Sequence, residues 1–599
     1  MNTTTYPEHW NLDALFNGKS NSPEFFQLME QTKSQIQELS ELIDSINSKS
    51  FSIEKMLVEN LNGFGIVQLS LSQMSSFVTC LLAESPKDSQ VLILRGKTAS
   101  LQTEYNAILT RFQQLLSEID KPQWNALMEL EQLKDYQFIL NEWREQADSP
   151  LSVELEHLLS DLMVDGYHAW GDLYRSTVNN LTVSIEINGT IEDYSIAQAT
   201  NLRSHPDKKL RHQAAQALEN TWRNQQDTMA RILNHLTGFR LQADKNRGIP
   251  NGLDKPLQDN RIQKETLEAM WQVVSENKNS FAFYLTHKAR GNKMSFHDFW
   301  APFDQEKASM DYSQAAEFLM EQFRQFGPEV EQFARTAFEE GWIESANSSG
   351  KGSVAFCAGF PATGESRVFL TFDGSMTSLL TLTHELGHAF HNHAMKEVEP
   401  LNRKYGMTTA ESASTFCEML VLDAAIQKAD RPKEKLMLLD EKIKRSVMNF
   451  MNLHGRFLFE EKLYEKRKEG MISAEQLNEL MKASLEEGYA SSVDDLPVHY
   501  WISTPHFYIT SSPFYNFPYT FGYLFSVSVY AKALEQGSGF EQQYLALLRD
   551  TGKLTVEELA MKHLGEDITQ KEFWEKGMTL CVKDAEEFIR LSRLASAER

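Results

Sequence analysis

The stretch that most constrains this chain is His384-Glu385-Leu386-Gly387-His388. Residues four apart share one face of a helix, so the two imidazoles can converge on a single metal ion. Neutral imidazole is a zinc donor at roughly 2.0–2.1 Å. Glu385, one position round the helix, is then placed to act as a general base on water at that metal. The flanks support a helix: Leu379, Leu382, Leu386 and Phe390 form an apolar stripe away from the histidines, and Ser375 stands where an N-cap belongs. The alternative is a chance match in which the histidines merely sit on polar surface.

That helix must belong to a protein of more than one lobe, because 599 residues are too many for one simple core. The chain is acidic, with 59 Lys and Arg against 83 Asp and Glu and a net charge of −24. Such a balance argues against nucleic acid or an anionic membrane as the main partner. The opening residues show neither the basic nor the apolar region of a secretory signal, and no apolar run approaches the roughly 20 residues of a membrane span. Cys80, Cys357, Cys417 and Cys581 are scattered and form no CxxC pair, which suits a reducing compartment. The expected location is cytoplasmic.

Periodicity predicts helices over 23–47, 53–83, 88–119, 122–146 and 151–178. The first β signal is a hairpin, 183–187 and 190–194, on the turn Asn188-Gly189. A lobe boundary is expected after it, giving an N-terminal helical lobe over 1–200 and a second domain over 201–599. Pro206 is expected to open a helix reaching about Arg247. Further helices are expected at 263–290, 313–326 and 329–340, parted at Gly327-Pro328, and at 408–428, 433–468, 473–488 and 519–536. Ser473 and Gln476 have capping-box spacing. Between them, 348–353 is expected to be a flexible loop and 367–372 a strand leading into the metal helix. The fold expected is mainly α, with a small β element beside that helix.

Catalytic zinc takes three protein ligands and leaves one position open. An extended motif with glycine at 391 and histidine at 394 is excluded, since His391 and Ala394 stand there. His391 is too close along the helix to complete a tetrahedron and is expected to pack beside the site. Cys357 or Cys417 could supply a thiolate, as in a Cys-His-His hydrolase. Glu411 follows His384 by 27 residues, enough to cross a loop and start a second helix, on which Thr415 and Glu418 share its face. The same glutamate has capping-box spacing from Thr408, and spacing alone leaves both readings open.

Several blocks together resemble the thimet oligopeptidase and oligoendopeptidase F family of zinc peptidases, most closely its bacterial oligoendopeptidase F branch. They are Ala355-Phe356-Cys357, Val368 to Gly374, Leu382 to His391, Ala410 to Glu418, Arg247 to Leu253, and Pro505-His506-Phe507-Tyr508. The likeness runs over most of the chain from about residue 120. It implies two helical lobes around a deep channel, a catalytic domain over 201–599, and one zinc ion per chain on His384, His388 and Glu411. Glu385 is implied as general base and short, unfolded peptides as substrates. The resemblance further implies a substrate-contacting segment over 499–523, with His506 and one of Tyr515 and Tyr519 beside the reacting carbonyl. Ser511-Ser512-Pro513 lengthens the spacing there, and Tyr508, Tyr515, Tyr519 and Tyr523 could each instead be packing residues. Strand 367–372 is expected to pair with the substrate backbone, and Glu418 to hold a ligand histidine or form a salt bridge. A peptide-binding helical protein without hydrolysis is the remaining rival, which the presence of Glu385 disfavours.

Overall fold

Short polar side chains set the helix starts. Asp88, Asp120, Asp207, Asp311, Ser375, Ser473 and Thr555 each precede a helix and accept a bond from a backbone N–H in its first turn. These are donors with no partner inside the helix. At Ser473 the capping box with Gln476 is closed in both directions. The outcome, in a computed structural model, is a mainly α-helical protein with three small sheets among the described residues. The structure describes residues 5–45, 53–147, 150–187, 189–302, 310–347, 351 and 354–597. Asn188 of the expected hairpin turn, and Ser348, Ser349, Gly350, Gly352 and Ser353 of the expected loop, lie outside these.

Most expected helices are present, among them Pro23–Ser45, Ser89–Glu118, Lys264–Lys288 and Phe517–Gln536. The long helix is Lys208–Asn246, with Asp207 rather than Pro206 at its start. The helix expected over 122–146 is divided into Lys121–Met128, a turn over Glu131–Tyr136, and Gln137–Ala147. Leu127, Met128 and Leu133 are all buried across the break, and the Gln137 side chain takes up the Met128 carbonyl that it leaves open. Tertiary burial here overrides a continuous helical period.

By contact density the chain divides into two compact units, each drawn from three stretches. One comprises 1–148, 307–424 and 532–565; the other comprises 149–306, 425–531 and 566–599. The boundary expected near residue 200 is one of sequence, and it falls inside the second unit.

In the first unit Pro23–Ser45, Ile53–Glu84 and Ser89–Glu118 pack side by side around the rings of Phe16, Phe25, Phe64, Phe77 and Phe112. Ile53–Glu84 is long and apolar enough to cross a membrane by length and composition, contrary to the expectation that no apolar run approaches a membrane span. Leu57, Leu61, Phe64, Leu71, Met74 and Phe77 on it are buried in this core. Phe360 and Phe369 carry the core into a three-stranded sheet. Glu365–Phe369 is its central strand, antiparallel to Phe356–Phe360 and parallel to Ile343–Glu344. Extended backbone continues beyond it, with Leu370 and Phe372 N–H bonded to the Glu344 and Ser345 carbonyls. Val368 and Phe369, within the segment expected to accept a substrate strand, are therefore paired on both sides. The outer strands of the sheet are Phe356–Phe360 and Ile343–Glu344.

In the second unit Lys264–Lys288 lies along Lys571–Ala597, and Leu453–Glu469 packs on Ala474–Gly488. Asp440, wholly buried, is neutralised by Lys288 at 2.7 Å and Lys444 at 3.0 Å. The hairpin is present as Thr182–Ile187 and Thr190–Ser195, with Ile187 opposite Thr190.

Candidate metal centre

His384 and His388 project from the helix Met376–Ala394, whose Leu379, Leu382, Leu386 and Phe390 are buried as the stripe requires. The next helix, Ser412–Lys428, meets it at Gly387. A β-carbon on Gly387 would stand 2.5 Å from Ser414 Cα and 2.7 Å from the Ala413 carbonyl oxygen, so only glycine lets the two backbones approach this closely. The approach brings Glu411, at the head of Ser412–Lys428, to the histidines. Gly406, rather than Thr408, is the N-cap of the preceding turn Met407–Ala410, and Glu411 Oε2 faces the two histidines.

His384 Nε2 and His388 Nε2 are 3.1 Å apart, and Glu411 Oε2 lies 3.3 Å from the first and 3.6 Å from the second. Ligands on a tetrahedron with bonds of about 2.0–2.1 Å are spaced about 3.3 Å apart. Three Lewis bases at this spacing suit a cation among them, and among the described residues they are the group of three that could hold a metal. The supports come from neighbouring residues. His384 Nδ1–H donates to Glu418 Oε1 at 2.6 Å, the Ala410 backbone bonds the His388 ring, and Ser414 Oγ donates to Glu411 Oε2 at 2.7 Å. Glu418 is thus hydrogen-bonded to a ring of the group, as expected. Ser414 and Gly387 were missed, because their roles exist only once two helices are packed.

Burial works against a proton on either ring. At His388 it prevails and pulls the pKa down; at His384 the carboxylates of Glu418, Glu411 and Glu385 together outweigh it and push the pKa up to about 9. Glu418 thereby fixes a proton on Nδ1 and leaves Nε2 facing the other donors. Glu385 is almost wholly buried, and burial pushes its carboxyl up to about 7 against the opposing pull of His384. A carboxyl in that range can both take and return a proton near neutral pH.

Neither cysteine enters the group. Cys417 is buried, and burial raises both thiols well above the usual range. His391 packs as expected, stacked on Tyr405 with its Nε2 against Thr551 Oγ1 at 2.9 Å.

The other expected site residues lie in the second unit. His506, Tyr515 and Tyr519 form a triangle with ring centroids 5.5, 5.8 and 5.4 Å apart. Tyr508 is instead stacked on Tyr174 at 3.7 Å, and Tyr523 is buried with its hydroxyl on Ser446. Glu460 holds the turn that carries Tyr515, accepting from Phe514 N–H at 2.8 Å and Asn516 Nδ2 at 3.2 Å.

The profile of peptidase family M3 matches residues 201–580. The chain belongs to peptidase family M3. A second profile, that of oligopeptidase F, matches residues 116–182. Membership makes this M3 chain a metalloendopeptidase acting on peptides. It is 22% identical to an oligoendopeptidase F homolog of Lactococcus lactis, over 85% of this chain and 84% of the relative. Its fold matches that of a putative peptidase from Chlamydophila abortus with a TM-score of 0.81 and 18% identity, covering 98% of each chain. The oligoendopeptidase-F of Enterococcus faecium gives a TM-score of 0.69 at 18% identity, over 94% of this chain and 99% of that one.

Proposed function

We propose that this M3 peptidase is a zinc-dependent endopeptidase that hydrolyses internal bonds of short, unfolded peptides, with Glu385 as general base. The observation that carries it is the convergence of His384 Nε2, His388 Nε2 and Glu411 Oε2 at 3.1–3.6 Å, with Glu385 buried one residue away. Two imidazoles and one carboxylate are a catalytic zinc set. Zinc held there supplies a Lewis acid that polarises the scissile carbonyl and makes water acidic near neutral pH. Glu385 takes the proton of the attacking water and returns it to the departing amine. Glu418, Ala410 and Ser414 keep the three donors in register, so no reorganisation is needed as charge develops.

The edge Phe356–Phe360 replaces 367–372 as the strand that pairs with an extended substrate; Asn392 of the motif helix contacts it at Cys357. His506, Tyr515 and Tyr519 act as hydrogen-bond donors in the same reaction, a role supported by their clustering and by the family resemblance. The limit to short peptides rests on the names of the oligoendopeptidase relatives. A folded protein would first have to unfold, at a cost of about 5–15 kcal/mol. Action in the cytoplasm is supported by the four unpaired cysteines.

The test is a quenched peptide series of rising length, with and without a chelator, beside a native, loop-rich protein. Unstructured peptides of roughly 6–20 residues, a span of about 3.3 Å per residue, should be cut, and the chelator should abolish it. Rapid nicking of the native protein would overturn the size limit; undiminished cutting in chelator would overturn the zinc.

A further inference from the structure

Several buried or half-buried arginines in this molecule are ion-paired, and Arg144, Arg403 and Arg467 are held by backbone carbonyls. Arg211 meets Asp298 at 2.7 Å, Arg247 meets Glu156 at 2.8 Å and Arg367 meets Glu365 at 2.9 Å. Arg203 and Arg456, both half-buried, have no carboxylate partner among the described residues. They line one cavity of about 240 Å³, wholly within the second unit, together with Tyr500, Thr504 and His506. Arg203 stacks on Phe296 and Arg456 bonds the Tyr500 hydroxyl. Arg203 Nε, Arg456 Nε, Thr504 Oγ1 and His506 Nδ1 are all buried without a hydrogen-bond partner, and Thr504 is only 2% exposed. The one acid in the lining, Glu219, is held by His499 Nδ1 at 2.6 Å.

Two unneutralised guanidiniums and a set of orphaned polar atoms around one cavity are costly unless an anion completes them. The arginine fork matches a planar carboxylate with two parallel bonds. Every substrate of a peptidase carries one such group, at its C-terminus. The cavity is smaller than the roughly 300 Å³ and above of sites for drug-sized ligands, and Leu218, Trp222 and Phe296 give it an apolar wall. We propose that this cavity is a carboxylate site that receives the C-terminus of a peptide, with its last side chain against Leu218, Trp222 and Phe296. The inference rests on the peptidase reading and adds a specificity to it: a preference for peptides that end within reach of the cavity. His506 joins the cavity to the Tyr515 and Tyr519 cluster. The field of the two cations is visible on their neighbours. Burial raises the Tyr500 phenol, yet Arg456 and Arg203 pull it below its usual range, and burial with Arg456 takes His506 down to about 4.

The experiment is calorimetric titration of the full-length protein, zinc-loaded and chelated alike, with an N-acetyl dipeptide acid and with its C-terminal amide. The acid should bind about 10-fold or more tightly than the amide, in both metal states. Arg203→Gln, which removes no hydrogen bond of the free protein, should erase that advantage, and Arg203→Lys should restore part of it. Equal binding of acid and amide by the wild type would overturn the site, as would an advantage that survives Arg203→Gln. Displacement of the acid by inorganic phosphate at lower concentration than the acid itself would overturn the carboxylate assignment. A kinetic arm separates this from the zinc reading: amidation of a cleavable peptide should raise KM in the wild type and not in Arg203→Gln. Absence of any hydrolysis would count against the peptidase reading alone, because the titration does not depend on turnover.

Discussion

In the first unit, His384 and His388 stand on one helix, and Glu411 and Glu418 come from the head of the next. In the second, His506 lies in the turn Pro505–Tyr508, Tyr515 follows Phe514 in a loop, and Tyr519 lies in the helix Phe517–Gln536. The first cluster inherits its spacing from helix geometry and from one close approach at Gly387. The second depends on Phe514 in a left-handed conformation, φ 57°, which a non-glycine residue adopts at a cost of order 1–3 kcal/mol. It also depends on a buried acid, Glu460, to hold that turn. Damage to the first cluster should therefore show in metal as well as turnover, while loss of the turn that holds the second should show in stability and its response to pH and leave the metal in place.

The largest effect expected is that of Glu411→Ala. Elemental analysis should fall from about one zinc per chain to a trace, with hydrolysis at background and an unchanged helical signal. Full metal retention would break the contrast. Glu385→Gln keeps the shape and removes the base, so metal should stay while kcat drops by about 10²-fold or more; near-normal turnover would remove Glu385 from the reaction. Glu418→Gln loosens the His384 ring, and competition with a chelator should show metal affinity weakened by about 10–100-fold.

The smallest effect tests the second cluster. Burial raises the Glu460 carboxyl from 4.5 to about 7 against the opposing bonds from Phe514 and Asn516. A raised folded pKa means stability that is fully present below pH 4.5 and is lost as the pH rises through 7. Denaturant titrations between pH 5 and 7.5 should show that loss, at most about 3 kcal/mol, and Glu460→Gln should flatten it without altering metal content. An equal slope in both proteins would deny Glu460 its part in the turn.

The contrast also explains what could be read from the chain. Two histidines four apart and a stripe of Leu379, Leu382, Leu386 and Phe390 are local facts, and they predicted the motif helix and its buried face. Glu411 stood between ligand and cap on spacing alone, because the contact at Gly387 that decides its direction joins residues distant along the chain. The divided helix over 122–146 and the pairing of Val368 and Phe369 on both sides have the same origin, in burial and in a short strand, Ile343–Glu344, that carries almost no pattern. Arg203 and Arg456 are far apart in the chain and gave no local signal. Their meaning lies in the carboxylates that are not beside them.

The interleaving of the two units has a consequence for how the enzyme is made. Residues 532–565 belong to the first unit, and Tyr544 stacks on Phe416 and bonds the Ser412 carbonyl while Thr551 meets His391. The helices that carry the metal donors therefore lack these contacts until residues 532–565 have been made. At about 5–20 residues per second, the stretch of roughly 120 residues between Glu411 and that segment takes on the order of 6–24 seconds to synthesise. A nascent chain that already carries all three donors is thus a peptide before it is a peptidase.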